Sequence, residues 1–74
     1  MKPYELRTET GTPIAVLHED AMTKLMSGAE YEVTTKQIDG CEVLVFVFTR
    51  DMATVFPSLG WTVCIYAGSY LRRQ

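Results

Sequence analysis

Apolar and polar side chains alternate most clearly over residues 31–49, YEVTTKQIDGCEVLVFVFT. Two β-rich runs flank Asp39-Gly40. A type I′ turn needs φ > 0 at both central positions, and Asp followed by Gly tolerates that. The turn sets a hairpin register in which Ile38 faces Cys41, Lys36 faces Val43, Thr34 faces Val45 and Glu32 faces Val47. Between these pairs Gln37 meets Glu42, Thr35 meets Leu44, Val33 meets Phe46 and Tyr31 meets Phe48. Successive side chains of a strand point to opposite faces. One face therefore carries Tyr31, Val33, Leu44, Phe46 and Phe48 and reads as core. The other sets Glu32, Thr34 and Lys36 against Val43, Val45 and Val47. A strand apolar on both sides is an interior one, so residues 41–49 are predicted to be the central strand.

The rest of the chain supplies cover. Residues 4–10 alternate as a first strand, Gly11-Thr12-Pro13 turns, and residues 14–17 form a short second strand that hairpins with the first. Glu19 to Ser27 is predicted to be the one helix. Its acidic first turn suits the positive end of the helix dipole, and Ala21, Met22, Leu25 and Met26 make one apolar stripe. Gly28 suits a left-handed C′ position. A helix this short is held by packing, and its expected seat is the Tyr31, Val33, Leu44, Phe46 and Phe48 face. Residues 50–60 are read as an irregular connection with one helical turn after Asp51. Residues 61–71 are read as a last strand with a bulge at Gly68, and residues 72–74 as a frayed basic end. The expected fold is α+β: a small antiparallel β-sheet of about five strands, ordered ββαββ-turn-β, with one short helix on one face.

Length and composition narrow the function classes. A chain of 74 residues has room for one domain, 1–74, with a small core. At 47% hydrophobic residues it is not a disordered segment. It has no apolar run of the roughly 18–20 residues that span a bilayer. MKPYELRTE lacks the apolar region of a signal peptide, so a cytoplasmic protein is expected. The net charge of −2 argues against broad phosphate-backbone binding. The two cysteines lack CxxC spacing, and strand pairing sets them too far apart for a disulfide; both are expected to be reduced, buried and structural.

Candidate chemistry is sparse. His18 with Glu19 and Asp20 could ligate a metal or exchange protons, but consecutive residues at a helix start diverge. Cys41 or Cys64 with His18 lacks an orienting third residue. Met22, Met26 and Met52 read as core more readily than as an adaptable surface. No enzyme activity, cofactor or metal is expected.

A second pattern points elsewhere. Gly11, Ile14 and Val16, a short helix, Gly28, Tyr31 and Val33, then Asp39-Gly40 and Val43 resemble the strand–helix–hairpin rhythm of AbrB/MazE-type swapped-hairpin DNA-binding domains. The resemblance covers roughly residues 6–46. The chain departs from that pattern at Leu17, where the family usually has Pro, and at Ala29, where it usually has Asp. It implies a dimeric DNA-binding regulator or antitoxin. The leading expectation remains a non-enzymatic regulatory module that binds another protein, as a homodimer or within a complex. Size and lack of motifs, rather than any residue, fit such a chain to the accessory proteins of phages and mobile elements. The expected interaction surface is the second sheet face, Val43, Val45 and Val47. A last strand paired to residues 41–49 would place Cys64 and Tyr66 beside them, and one helix cannot cover both faces.

Overall fold

The structure, a computed structural model, describes residues 3–56 and 60–74. In chain order the elements are β1 (Tyr4–Arg7), β2 (Pro13–Leu17), α1 (Glu19–Ser27), β3 (Tyr31–Ile38), β4 (Cys41–Phe48), β5 (Met52–Phe56), β6 (Trp61–Ile65) and β7 (Tyr70–Arg73). Five strands form one antiparallel sheet in the order β2-β1-β7-β4-β3, and β5 and β6 form a separate two-stranded sheet. With one short helix, this is a small α+β fold.

The central hairpin forms as its turn requires. Asp39 has φ 52° and Gly40 φ 79°, and the β3–β4 register runs from Ile38↔Cys41 to Tyr31↔Phe48 without a shift. The strand β4 is interior, between β3 and β7. The helix also forms over its expected residues. His18 is its N-cap, in extended backbone, and its carbonyl accepts the Met22 N–H at 2.8 Å. Gly28 is not left-handed: its φ is −111°, and its N–H bonds to the Leu25 carbonyl at 3.4 Å. The chain leaves the helix through right-handed space and needs no glycine there.

Two segments differ from expectation. Residues 52–56 are a strand, because Met52, Ala53, Thr54, Val55 and Phe56 pair in turn with Ile65, Cys64, Val63, Thr62 and Trp61. The expected connection's residues 57–59 lie outside the described residues. The expected last strand is two strands on different sheets. Gly68, at φ 95°, and a Ser69 N–H to Tyr66 carbonyl bond of 3.0 Å reverse the chain after β6. Arg72 and Arg73 of the expected basic tail instead join Tyr70 and Leu71 in the middle strand of the large sheet, with Tyr70, Leu71 and Arg72 opposite Val47, Phe46 and Val45 on one side and opposite Arg7, Leu6 and Glu5 on the other. Burial explains this: Tyr70 and Leu71 point to opposite faces, and both are buried.

The main core lies between one sheet face and α1 with the β5–β6 hairpin. Leu6, Leu17, Phe48 and Leu71 from the sheet meet Leu25 of α1 and Val63 and Ile65 of β6, with Met22, Met26, Phe46 and Met52 packed around them. Lys24 ties the two covering elements together, its Nζ donating to the Val55 carbonyl at 2.7 Å.

Candidate interaction surface

The sheet presents two faces, and they divide the expected surface residues differently from the expectation. Val43, Val45 and Val47 share one face with Ile38 and Tyr70, whose side chains enclose Val45 entirely and leave Val43 and Val47 half-buried. Cys64 and Tyr66 are not beside them. β4 pairs with β7, not β6, so Cys64 sits on the smaller sheet opposite Ala53, and Tyr66 follows that sheet's end. The five residues therefore do not make one surface. Tyr66 is well exposed. Both cysteines are free and exposed rather than buried, since Cys41 borders the hairpin turn and Cys64 points away from the core that Val63 and Ile65 enter.

The valine face is partly polar. Arg7 and Glu5, two apart on β1, form an ion pair, and the Glu5 carboxylate holds the Arg7 guanidinium above its ordinary pKa. Lys36 reaches back so that its ammonium lies 5.2 Å from the Tyr70 ring centre, a cation–π distance. Arg7, Lys36, Tyr70, Glu9 and Asp39 line a cavity of about 420 Å³ between the β1–β2 turn and the hairpin turn. Two cations, Arg7 and Lys36, and two carboxylates, Glu9 and Asp39, line it, so no single ligand charge is selected.

On the valine face Ile14 and Val16 of the edge strand β2 are exposed, and the hairpin's own unburied apolar surface is on the helix side. The helix and the second hairpin cover Phe48, Leu6 and Leu71, but they stop short of β3. Tyr31 (41% exposed), Val33 (55%) and Leu44 (58%) stay open to solvent, although the pattern assigned all three to the core. One nine-residue helix cannot cover a face that is five strands wide. Phe46 is half-buried between them and the core. Tyr31 meets it edge-on at 5.6 Å between ring centroids, and Tyr4 lies at 5.8 Å. Beside Phe46, a groove of about 540 Å³ runs between α1 and the sheet, with Met22, Met26, Tyr4 and Tyr31 among its walls. Aromatic and methionine side chains in a groove next to exposed Val33 and Leu44 make one continuous apolar surface.

His18 is exposed at the helix N-cap and makes no side-chain capping bond. Among the described residues, no three His, Cys, Asp or Glu side chains converge as a metal site would need. Among the described residues no helix is long and apolar enough to cross a membrane. The sequence pattern could have located the open surface only by asking how much of the Tyr31–Phe48 face one short helix can cover. Comparison with known protein families, curated proteins and solved structures finds no match to this chain.

Proposed function

We propose that this chain is a non-enzymatic regulatory module that works by binding another protein through the surface formed by Tyr31, Val33, Leu44 and the adjoining Phe46–Met22–Met26 groove. One observation carries the reading: three large apolar side chains, each more than two-fifths exposed, adjoin an apolar groove on one side of a very small protein. Contiguous exposed apolar surface of this kind marks interaction sites in soluble proteins, and aromatic and methionine side chains are those that interface centres favour. His18 at the α1 N-cap, Cys41 on the large sheet and Cys64 on the small sheet are all exposed and belong to different elements, which supports binding over catalysis.

Leu44→Glu tests this. Leu44 is 58% exposed and is not one of the buried core residues, so the variant should keep the wild-type circular dichroism and melting temperature. Quantitative affinity capture with both proteins should show a partner retained by the wild type and depleted at least about tenfold by the variant, the scale of one buried interface anchor. Equal capture by both proteins, or no protein specific to the wild type, overturns the reading. A duplex-DNA mobility shift that weakens steeply with salt would instead support a DNA-binding regulator.

A further inference from the structure

The large sheet has two edges of opposite character. β2 is five residues long, begins at Pro13, and pairs with β1 through a register shift between Leu6 and Arg7. Short length, proline and a bulge are the features that keep a sheet edge from pairing further. β3 has none of them. It is eight residues long, contains no proline, holds an unbroken register, and is exposed from Tyr31 to Thr35.

Its pairing with β4 determines which backbone groups face out. The Thr49 N–H donates to the Glu30 carbonyl at 3.0 Å. Antiparallel pairs alternate between bonded and non-bonded, so Glu32, Thr34, Lys36 and Ile38 direct their N–H and C=O groups toward β4. Tyr31, Val33, Thr35 and Gln37 direct theirs outward, where the sheet has no further strand among the described residues.

We propose that a second copy of this chain occupies that edge, β3 against β3, antiparallel about a two-fold axis through Thr34. Outward-facing residues must then meet outward-facing residues. In this register Val33 meets Thr35 of the partner subunit and Tyr31 meets Gln37 of the partner subunit, forming about eight backbone hydrogen bonds. The charges select both the register and the occupant. Glu32 falls opposite Lys36 of the partner subunit, and Lys36 opposite Glu32 of the partner subunit. Moving the axis to Val33 would set Lys36 against Glu30 of the partner subunit, whose carboxylate Arg50 already holds at 2.9 Å. Moving it to Thr35 would set Glu32 against Ile38 of the partner subunit. A glutamate and a lysine equidistant from one residue are self-complementary, which is what an isologous two-fold contact requires. Lys36 in the single chain folds back over Tyr70 and leaves the edge open to approach. The inference stands on backbone direction and charge, so it does not depend on the partner-binding reading above. The same pairing joins the two open apolar surfaces: Leu44 and Thr35 of one copy continue into Val33 of the partner subunit and Phe46 of the partner subunit.

Light scattering and sedimentation equilibrium on the purified chain at micromolar concentration should give twice the 8.4 kDa chain mass. Glu32→Lys and Lys36→Glu each set like charges across the axis and should weaken the dimer at least about tenfold. Mixed one to one, the two variants should form a heterodimer, because each supplies the charge the other lacks. Val33→Pro removes an outward N–H but no bond to β4, and should be monomeric with an intact fold; it decides the matter if a charge variant fails to fold. A wild-type monomer at high micromolar concentration, a dimer that neither charge variant weakens, variants that do not recombine on mixing, or a dimeric Val33→Pro each overturns the proposal.

Discussion

Glycine shows how residue-level effects depend on local backbone. Gly40 occupies the left-handed half of the hairpin turn at φ 79°, and an added Cβ there meets nothing within 4 Å. The effect of Gly40→Ala is therefore conformational, a loss of about 1–2 kcal/mol from forcing an L-residue into left-handed space. Gly28 is also free of neighbours, but its φ is −111°. Gly28→Ala should stabilise the protein by about 0.4–1 kcal/mol, because it reduces the freedom of the unfolded chain without straining the folded one. Urea denaturation of the two variants should move the midpoints in opposite directions; movement in the same direction would contradict the turn or the helix end. Both sites carry glycine after a periodic segment, and only their torsion angles separate them.

At the scale of elements, the helix and the hairpin form where their patterns place them, but the helix covers less than expected. Phe48 is fully enclosed by the Leu6, Leu25 and Leu71 cluster, whereas Phe46, two residues earlier on the same face, is only half-buried. Phe48→Ala should cost about 3–5 kcal/mol, the range for a buried phenylalanine. Phe46→Ala should cost clearly less, since part of its ring is already in contact with water. Thermal melts decide it: equal losses would mean that the helix covers both rings. Periodicity identified the face that both residues share; how far along it the helix extends follows from the helix's length and from the β5–β6 hairpin beside it.

For the molecule as a whole, the decisive strand is β7. It lies between β1 and β4, and without it those strands have no hydrogen-bonded partner on that side. A chain ending at residue 69 should lose its cooperative thermal transition, because β1, β2 and the core leucines they carry are then separated from the β3–β4 hairpin. Leu71→Ala is the milder version, with an expected loss of about 2–5 kcal/mol, a large share of the stability available to a small domain. A cooperative melt in the shortened chain would show that β1 and β4 can pair directly.

The sequence alone determined the local structure: the Asp39-Gly40 turn, the full β3–β4 register, the nine-residue helix and the α+β class. Each depends on neighbouring residues, whose torsional preferences and period are written in the chain. Tertiary structure decided the rest. Tyr70–Arg73 becomes a middle strand because its two flanking strands, β1 and β4, lie far from it in sequence and offer it hydrogen bonds on both sides. Residues 52–56 become a strand because residues 61–65 pair with them. The open surface at Tyr31, Val33 and Leu44 was hidden for the same reason: alternation tells which residues share a face, but only the packed arrangement of α1 and the second hairpin settles how much of that face is covered.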